Sequence, residues 1–163
     1  MARTIRRSTA YPAPPERVLA VFLDPETLRA RHRAQGAIES TVKETHRDDK
    51  RLVQVVECKE YARTKTGGQD RSRTQLTKSC YEWDLGARRC VWRYEGPDSP
   101  RIQVGGSFHV LAVGTGSELK VEVEVKVGIP LLGRVIEALI ASDIEKFLDS
   151  YSPSVPAQGG PGG

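Results

Sequence analysis

Cysteine is scarce in this chain and badly spaced for metal. Cys58, Cys80 and Cys90 are the only three and form no CxxC pair, which excludes a zinc ribbon or finger as the organising element. An odd set of thiols fits a reducing compartment, so the expected location is cytoplasmic. Met1 to Arg7 is charged, but no apolar run follows it, so no signal peptide is read there. No stretch approaches the roughly 20 apolar residues of a membrane-spanning helix, and stable membrane insertion is not expected. A GxSxG elbow and a phosphate-cradling glycine loop are both lacking. Lysine and arginine are in mild excess, with a net charge of +4. They are scattered, however, as Arg3, Arg6 and Arg7, then Arg29, Arg31 and Arg33, then Arg88 and Arg89, without interleaved stacking aromatics. Nucleic acid is therefore not an expected partner.

What the chain does have is periodicity. With 163 residues it can bury about 70% of its unfolded surface and build one core without staples. Leu119, Val121, Val123, Val125 and Val127 alternate with Lys120, Glu122, Glu124 and Lys126. Successive side chains on a strand point to opposite faces, so this run predicts a strand with one wet face, as antiparallel sheets have. After Gly128-Ile129-Pro130 the spacing changes. Leu132, Val135, Ile136, Leu139, Ile140, Ile144, Phe147, Leu148 and Tyr151 fall three and four apart, with Arg134, Glu137, Asp143, Glu145, Lys146 and Asp149 on the other face. That predicts an amphipathic helix of about five turns, entered through Pro130, whose missing N–H is harmless in a first turn. Residues 1–152 read as one domain, and 153–163, rich in Pro, Gly and Ser, as a disordered tail.

Further upstream, Arg101 to Val113, Cys90 to Glu95, Ser72 to Trp83, Arg51 to Tyr61 and Ile38 to His46 read as strands. The face pattern of Ser72 to Trp83 is irregular and suggests a bulge. Thr64 to Arg71 reads as a polar loop, and Gly105-Gly106 as turn or bulge glycines. Thr4 to Tyr11 is the first strand. Glu16 to Leu23 is a short helix, and Asp24-Pro25 starts a second, with Asp24 as N-cap, running to about Arg33. The fold class is α+β. Six consecutive strands form an antiparallel meander, and one long helix cannot fill the concave side of so large a curved sheet. A cavity between helix and sheet is the expected consequence.

In this order of elements the chain resembles the START-like, or polyketide-cyclase/dehydrase (SRPBCC), helix-grip superfamily. Two segments carry the resemblance: Tyr11-Pro12-Ala13-Pro14-Pro15-Glu16-Arg17-Val18 followed by Phe22-Leu23-Asp24-Pro25, and Val125 to Glu137 with its Gly-Ile-Pro-Leu-Leu-Gly-Arg-Val-Ile-Glu entry into the last helix. The second is similar to an uncharacterised bacterial branch of the superfamily. The resemblance spans residues 3 to 151. It implies a curved seven-stranded antiparallel sheet around a long C-terminal helix, with a pocket between them. It does not imply one reaction, since the fold hosts carriers, receptors, cyclases and hydrolases.

Strand parity and the resemblance together nominate a ligand-binding wall: Trp92, Tyr94, Phe108, Val110, Val123, Val125, Ile136 and Ile140. Ordinary core packing is the competing reading of the same residues. The loops at Pro97 to Pro100 and at Gly67-Gly68 are the expected gate. His32, in Arg31-His32-Arg33, reads as a solvated helix end, His46 as a hairpin neighbour, and His109 as pointing away from the cavity. Glu82, Asp84 and Glu95 read as turn charges facing Arg88, Arg89 and Arg93, with a paired acid/base site as the alternative. Cys58 and Cys80 read as inert strand thiols. No catalytic residue, metal ligand or cofactor is assigned. The leading expectation is non-enzymatic binding or carriage of a small hydrophobic molecule. The alternatives are a cyclase- or dehydratase-like enzyme with an acid/base group deep in the same cavity, and a protein-interaction module whose core is filled.

Overall fold

The structure, a computed structural model, describes residues 2–64 and 68–155. Strand β1 (Ala2–Tyr11) leads into helices α1 (Pro15–Leu23) and α2 (Pro25–Ala34). The strands β2 (Glu39–Arg47), β3 (Arg51–Arg63), β4 (Gln69–Asp84), β5 (Arg89–Glu95), β6 (Ile102–Val113) and β7 (Gly116–Val127) follow, and helix α3 (Gly133–Ser150) ends the domain. The seven strands form one sheet in the order β1-β7-β6-β5-β4-β3-β2, antiparallel throughout. The meander β2 to β7 is thus as expected, with β1 closing on β7.

Local chemistry sets the element ends. Asp24 caps α2 by accepting a 3.0 Å hydrogen bond from the Glu26 N–H, with Pro25 in the first turn. Gly36, at φ 108°, stops the same helix in a backbone conformation that favours glycine. The β2–β3 hairpin is held by Asp48, whose side chain accepts from the N–H groups of Lys50 and Arg51 at 2.8 and 2.7 Å.

Several expectations need correcting. The polar loop read at Thr64 to Arg71 ends earlier than expected: β4 begins at Gln69, so Gln69 to Arg71 are strand, and Ala62 and Arg63 pair with Asp70 and Gln69. The irregularity is a register break at Tyr61/Ala62, where the partner residue jumps from Thr74 to Asp70. Gly105 and Gly106 are not at a turn. They lie inside β6, where a Cβ on Gly106 would sit 2.0 Å from the Glu122 carbonyl oxygen and one on Gly105 2.9 Å from that of Trp92, so the glycines let neighbouring backbones close up. Pro130 does not enter the first turn of α3; it precedes the N-cap, Leu132. The stripe on α3 is only partly covered, since Val135 and Leu139 are 54% and 42% exposed. Glu137, assigned to the wet face, is buried, with Arg3 of β1 at 3.4 Å. Of the expected tail, Val155 still packs against the core, and 156–163 lie outside the described residues. So does Gly67 of the expected gate.

The core centres on Phe108, whose ring lies 6.0 to 6.4 Å from those of Phe22, Trp83, Trp92 and Tyr81. The main helix contacts fall on the flanks of the sheet: α1 on β6 and β7, α3 on β7 and β1, α2 on β2. The inner faces of the middle strands are left to be covered by side chains alone, and that places the site.

Candidate ligand cavity

A cavity of about 400 Å³ lies between the end of α2, the inner face of β3 to β7 and the second half of α3, within the size range of small-molecule pockets. Its apolar wall is Val104 of β6, Val123 of β7 and Ile140, Ile144 and Phe147 of α3. Its floor is β4, where Gln75, Thr77, Ser79 and Tyr81 line the space at the two-residue spacing of one strand face. Trp92 and Tyr94 of β5 stand beside them, and Gly96 to Ser99 form part of the rim.

Of the eight nominated wall residues, Trp92, Tyr94, Val123 and Ile140 line this cavity. Phe108, Val110, Val125 and Ile136 are placed in the packed core. Phe108 instead borders a much smaller cleft beside Phe22, Leu28 and Tyr151. Of the expected gate, Pro97, Asp98 and Ser99 line the cavity.

The largest departure from expectation is at α2. His32 is not solvated: it is 8% exposed and lines the cavity. Its Nε2 lies 2.8 Å from the Tyr81 hydroxyl and its Nδ1 3.6 Å from Cys58 Sγ. Burial, reinforced by the adjacent Arg31 charge, pushes its pKa down to about 4, so the imidazole is neutral at physiological pH. Burial also raises the Tyr81 phenol and lifts the Cys58 thiol to about 11, which leaves Cys58 without thiolate character.

Arg31, the neighbouring residue, is 9% exposed and also lines the cavity. Its guanidinium lies 4.4 Å over the Phe108 ring and 5.7 Å from that of Phe147. Nε has no hydrogen-bond partner, and neither does the buried Trp92 Nε1. Nearer the rim, the Tyr94 hydroxyl donates to Glu60 Oε1 at 3.0 Å, and the Gln75 amide donates to the same oxygen at 3.2 Å. Burial and the Glu60 charge both raise the Tyr94 phenol.

His46 and His109 behave as expected. His46 pairs with Asp48 at 2.8 Å beside the hairpin, and His109 lies on the outer face beside Arg89 at 3.2 Å. Among the described residues no group of three or more His, Cys, Asp or Glu is arranged to hold a metal ion. None of the described helices is long and apolar enough to cross a membrane.

An antiparallel sheet curled around a C-terminal helix, with a cavity between them, defines the START-like helix-grip class. Solved structures share it at low sequence identity. TTHA0849 from Thermus thermophilus aligns with a TM-score of 0.60 and 19% identity over 91% of this chain and 90% of its own. The Zhui aromatase/cyclase from Streptomyces sp. R1128 gives 0.59 and 13% over 91% and 90%. Norcoclaurine synthase from Thalictrum flavum, in complex with dopamine and hydroxybenzaldehyde, gives 0.60 and 12% over 94% and 90%. No curated protein matches the sequence. Within the helix-grip class the chain belongs to the family described as "Protein of unknown function (DUF2505)", whose profile matches residues 6–152.

Proposed function

We propose that this protein binds a small hydrophobic molecule in the cavity between the sheet and α3, without transforming it. The observation that carries the reading is the cavity itself: about 400 Å³, with aliphatic and aromatic side chains on one side and a few convergent polar groups on the other. Burial of roughly 200 Å² of apolar ligand surface would gain about 5 kcal/mol before ordering costs. An interaction module with a filled core loses its basis against such a space. Three free cysteines, two of them buried, agree with a cytoplasmic setting.

The test uses a neutral apolar dye, Nile red, and the substitution Val104→Trp. Val104 is half-buried and faces the cavity, so an indole there fills space without displacing core. Wild type is expected to enhance dye emission at low micromolar concentration. The variant should keep the wild-type circular dichroism spectrum and weaken dye binding at least tenfold. A wild type that ignores the dye, or a folded variant that binds it equally well, refutes the reading.

A cyclase- or dehydratase-like activity is the second reading. It is favoured by one observation, the hydrogen-bonded His32–Tyr81 pair deep in the cavity. A neutral imidazole beside a phenol can hold and return a proton. One of the fold neighbours is an aromatase/cyclase, which makes this the reading to test once a ligand is known.

A further inference from the structure

We propose that the ligand of this cavity carries a single carboxylate, seated on the guanidinium of Arg31. The inference rests on the binding reading above and specifies the ligand's chemistry. Its starting point is a buried cation with no counter-ion. Arginine stays protonated in proteins and presents five N–H donors in a planar fork. Arg31 is 9% exposed, yet among the described residues no ion pair or side-chain hydrogen bond engages its guanidinium, and its Nε is orphaned. The groups that act on it electrostatically are Tyr81, Tyr151, Cys90 and Tyr11, three phenols and a thiol with no carboxylate among them.

The carboxylates along the cavity do not serve it. Glu60 accepts from Tyr94 and Gln75, Asp143 lies 3.9 Å from Arg63, and Asp98 acts on the Tyr94 phenol. The face of Phe108 at 4.4 Å offers the cation a quadrupole, but no lone pair for its N–H groups.

A second, independent donor points the same way. Trp92 Nε1 is buried and unpartnered, and its ring lies 6.3 Å from the same Phe108 ring. The Tyr81 ring lies 6.4 Å from Phe108. Both orphaned donors belong to residues that line the cavity, with the Phe108 ring packed behind them. Buried polar groups in folded proteins are almost always satisfied, and a group with two coplanar acceptor oxygens matches the planar guanidinium fork. A carboxylate fits better than a phosphate monoester, because Arg31 is the one buried arginine or lysine among the described residues. Of the other cations that line the cavity, Arg63 faces Asp143 at 3.9 Å and Lys146 is exposed, so a second negative charge carried inward to Arg31 would be left uncompensated. The body of the ligand then extends from Arg31 along Val104, Ile140 and Phe147.

The experiment is calorimetric titration with decanoate, its uncharged isostere decanamide, and decyl phosphate, alongside Nile red binding. Wild type should bind decanoate at least tenfold tighter than decanamide, the difference between a charge-assisted and a neutral hydrogen bond, and tighter than decyl phosphate. Arg31→Gln should erase the acid-over-amide preference, and Arg31→Lys should retain part of it. Because the wild-type comparison needs no variant, a misfolded Arg31→Gln does not rescue the proposal. Equal binding of decanoate and decanamide by wild type overturns it while leaving the hydrophobic pocket intact. Tighter binding of decyl phosphate overturns the choice of a singly charged head. Failure of all three probes and of Nile red overturns the pocket itself.

Discussion

His32 makes the stability of this fold sensitive to acid over a defined window. Its imidazole is buried against Tyr81 and Cys58 beside the Arg31 charge. The folded-state pKa is about 4, against an ordinary value of 6.5. Between these values the unfolded chain binds a proton that the native protein refuses, so the unfolding free energy falls as pH drops. The contribution is fully present above pH 6.5 and lost progressively toward pH 4. A separation of about 2.5 units corresponds to about 3 kcal/mol. With a urea m-value of about 2 kcal/mol/M, the unfolding midpoint should fall by about 1.5 M between about pH 7 and pH 4. His109 also has a lowered pKa, from burial and from Arg89, Lys120 and Arg88, so it adds loss of the same sign. The decisive quantity is therefore the difference from His32→Gln, which keeps a polar partner for Tyr81 but does not titrate. Urea unfolding by tryptophan fluorescence across this pH range gives that difference. The variant should show a much shallower slope below pH 6.5. Parallel curves for the two proteins would show that His32 is not buried as neutral imidazole, and the inner end of the cavity would have to be redrawn.

Gly106→Ala is expected to destabilise the sheet by about 1–3 kcal/mol through overpacking, because its Cβ would meet the Glu122 carbonyl oxygen at 2.0 Å. An unchanged urea midpoint would count against that close approach. Tyr81→Phe removes the hydroxyl 2.8 Å from His32 Nε2 and should cost about 1–3 kcal/mol, the penalty for leaving a buried polar group unpaired. It should leave Nile red binding intact, and if the enzymatic reading holds it should abolish turnover of any substrate found.

The fold was readable because its longest elements carry clean periods. The alternation from Leu119 to Val127 is reproduced residue by residue in the burial of β7, and Asp24-Pro25 caps α2 as its chemistry requires. The polar half of the site was not readable from the same rule. Choosing the wall by apolar parity selects residues that pack, so Phe108, Val110, Val125 and Ile136 were chosen and lie in the core. The floor was passed over because Gln75, Thr77 and Ser79 look like a wet face, although they share the parity of the buried Tyr81 and Trp83. Arg31 and His32 were passed over because the segment around them is charged. Helical spacing held the missing signal: they lie three and four residues after Leu28, which is buried on the same helix. What the spacing lacked was any indication that the space opposite that face is open.

Why the space is open follows from side-chain size along the inner face. On β4 the inward residues run Trp83, Tyr81, Ser79, Thr77, Gln75. At the Trp83 end the rings meet Phe108, which Phe22 of α1 covers, and the layer is solid. One register step further the floor shrinks to a hydroxymethyl group at Ser79, opposite Tyr94 of β5, while α3 lies chiefly over β7 and β1. Short side chains cannot bridge to a helix anchored on the far strands of the sheet, so close packing, which otherwise fills protein interiors, fails there. Arg31, His32 and Tyr81 stand on the seam between the solid and the open halves. A polar group placed further toward Phe22 would be sealed in apolar surroundings at a cost of several kcal/mol; at the seam it borders a space that a guest can occupy. Stability and binding are therefore carried by different rows of one sheet, and filling the open row at Val104 should alter the second with little effect on the first.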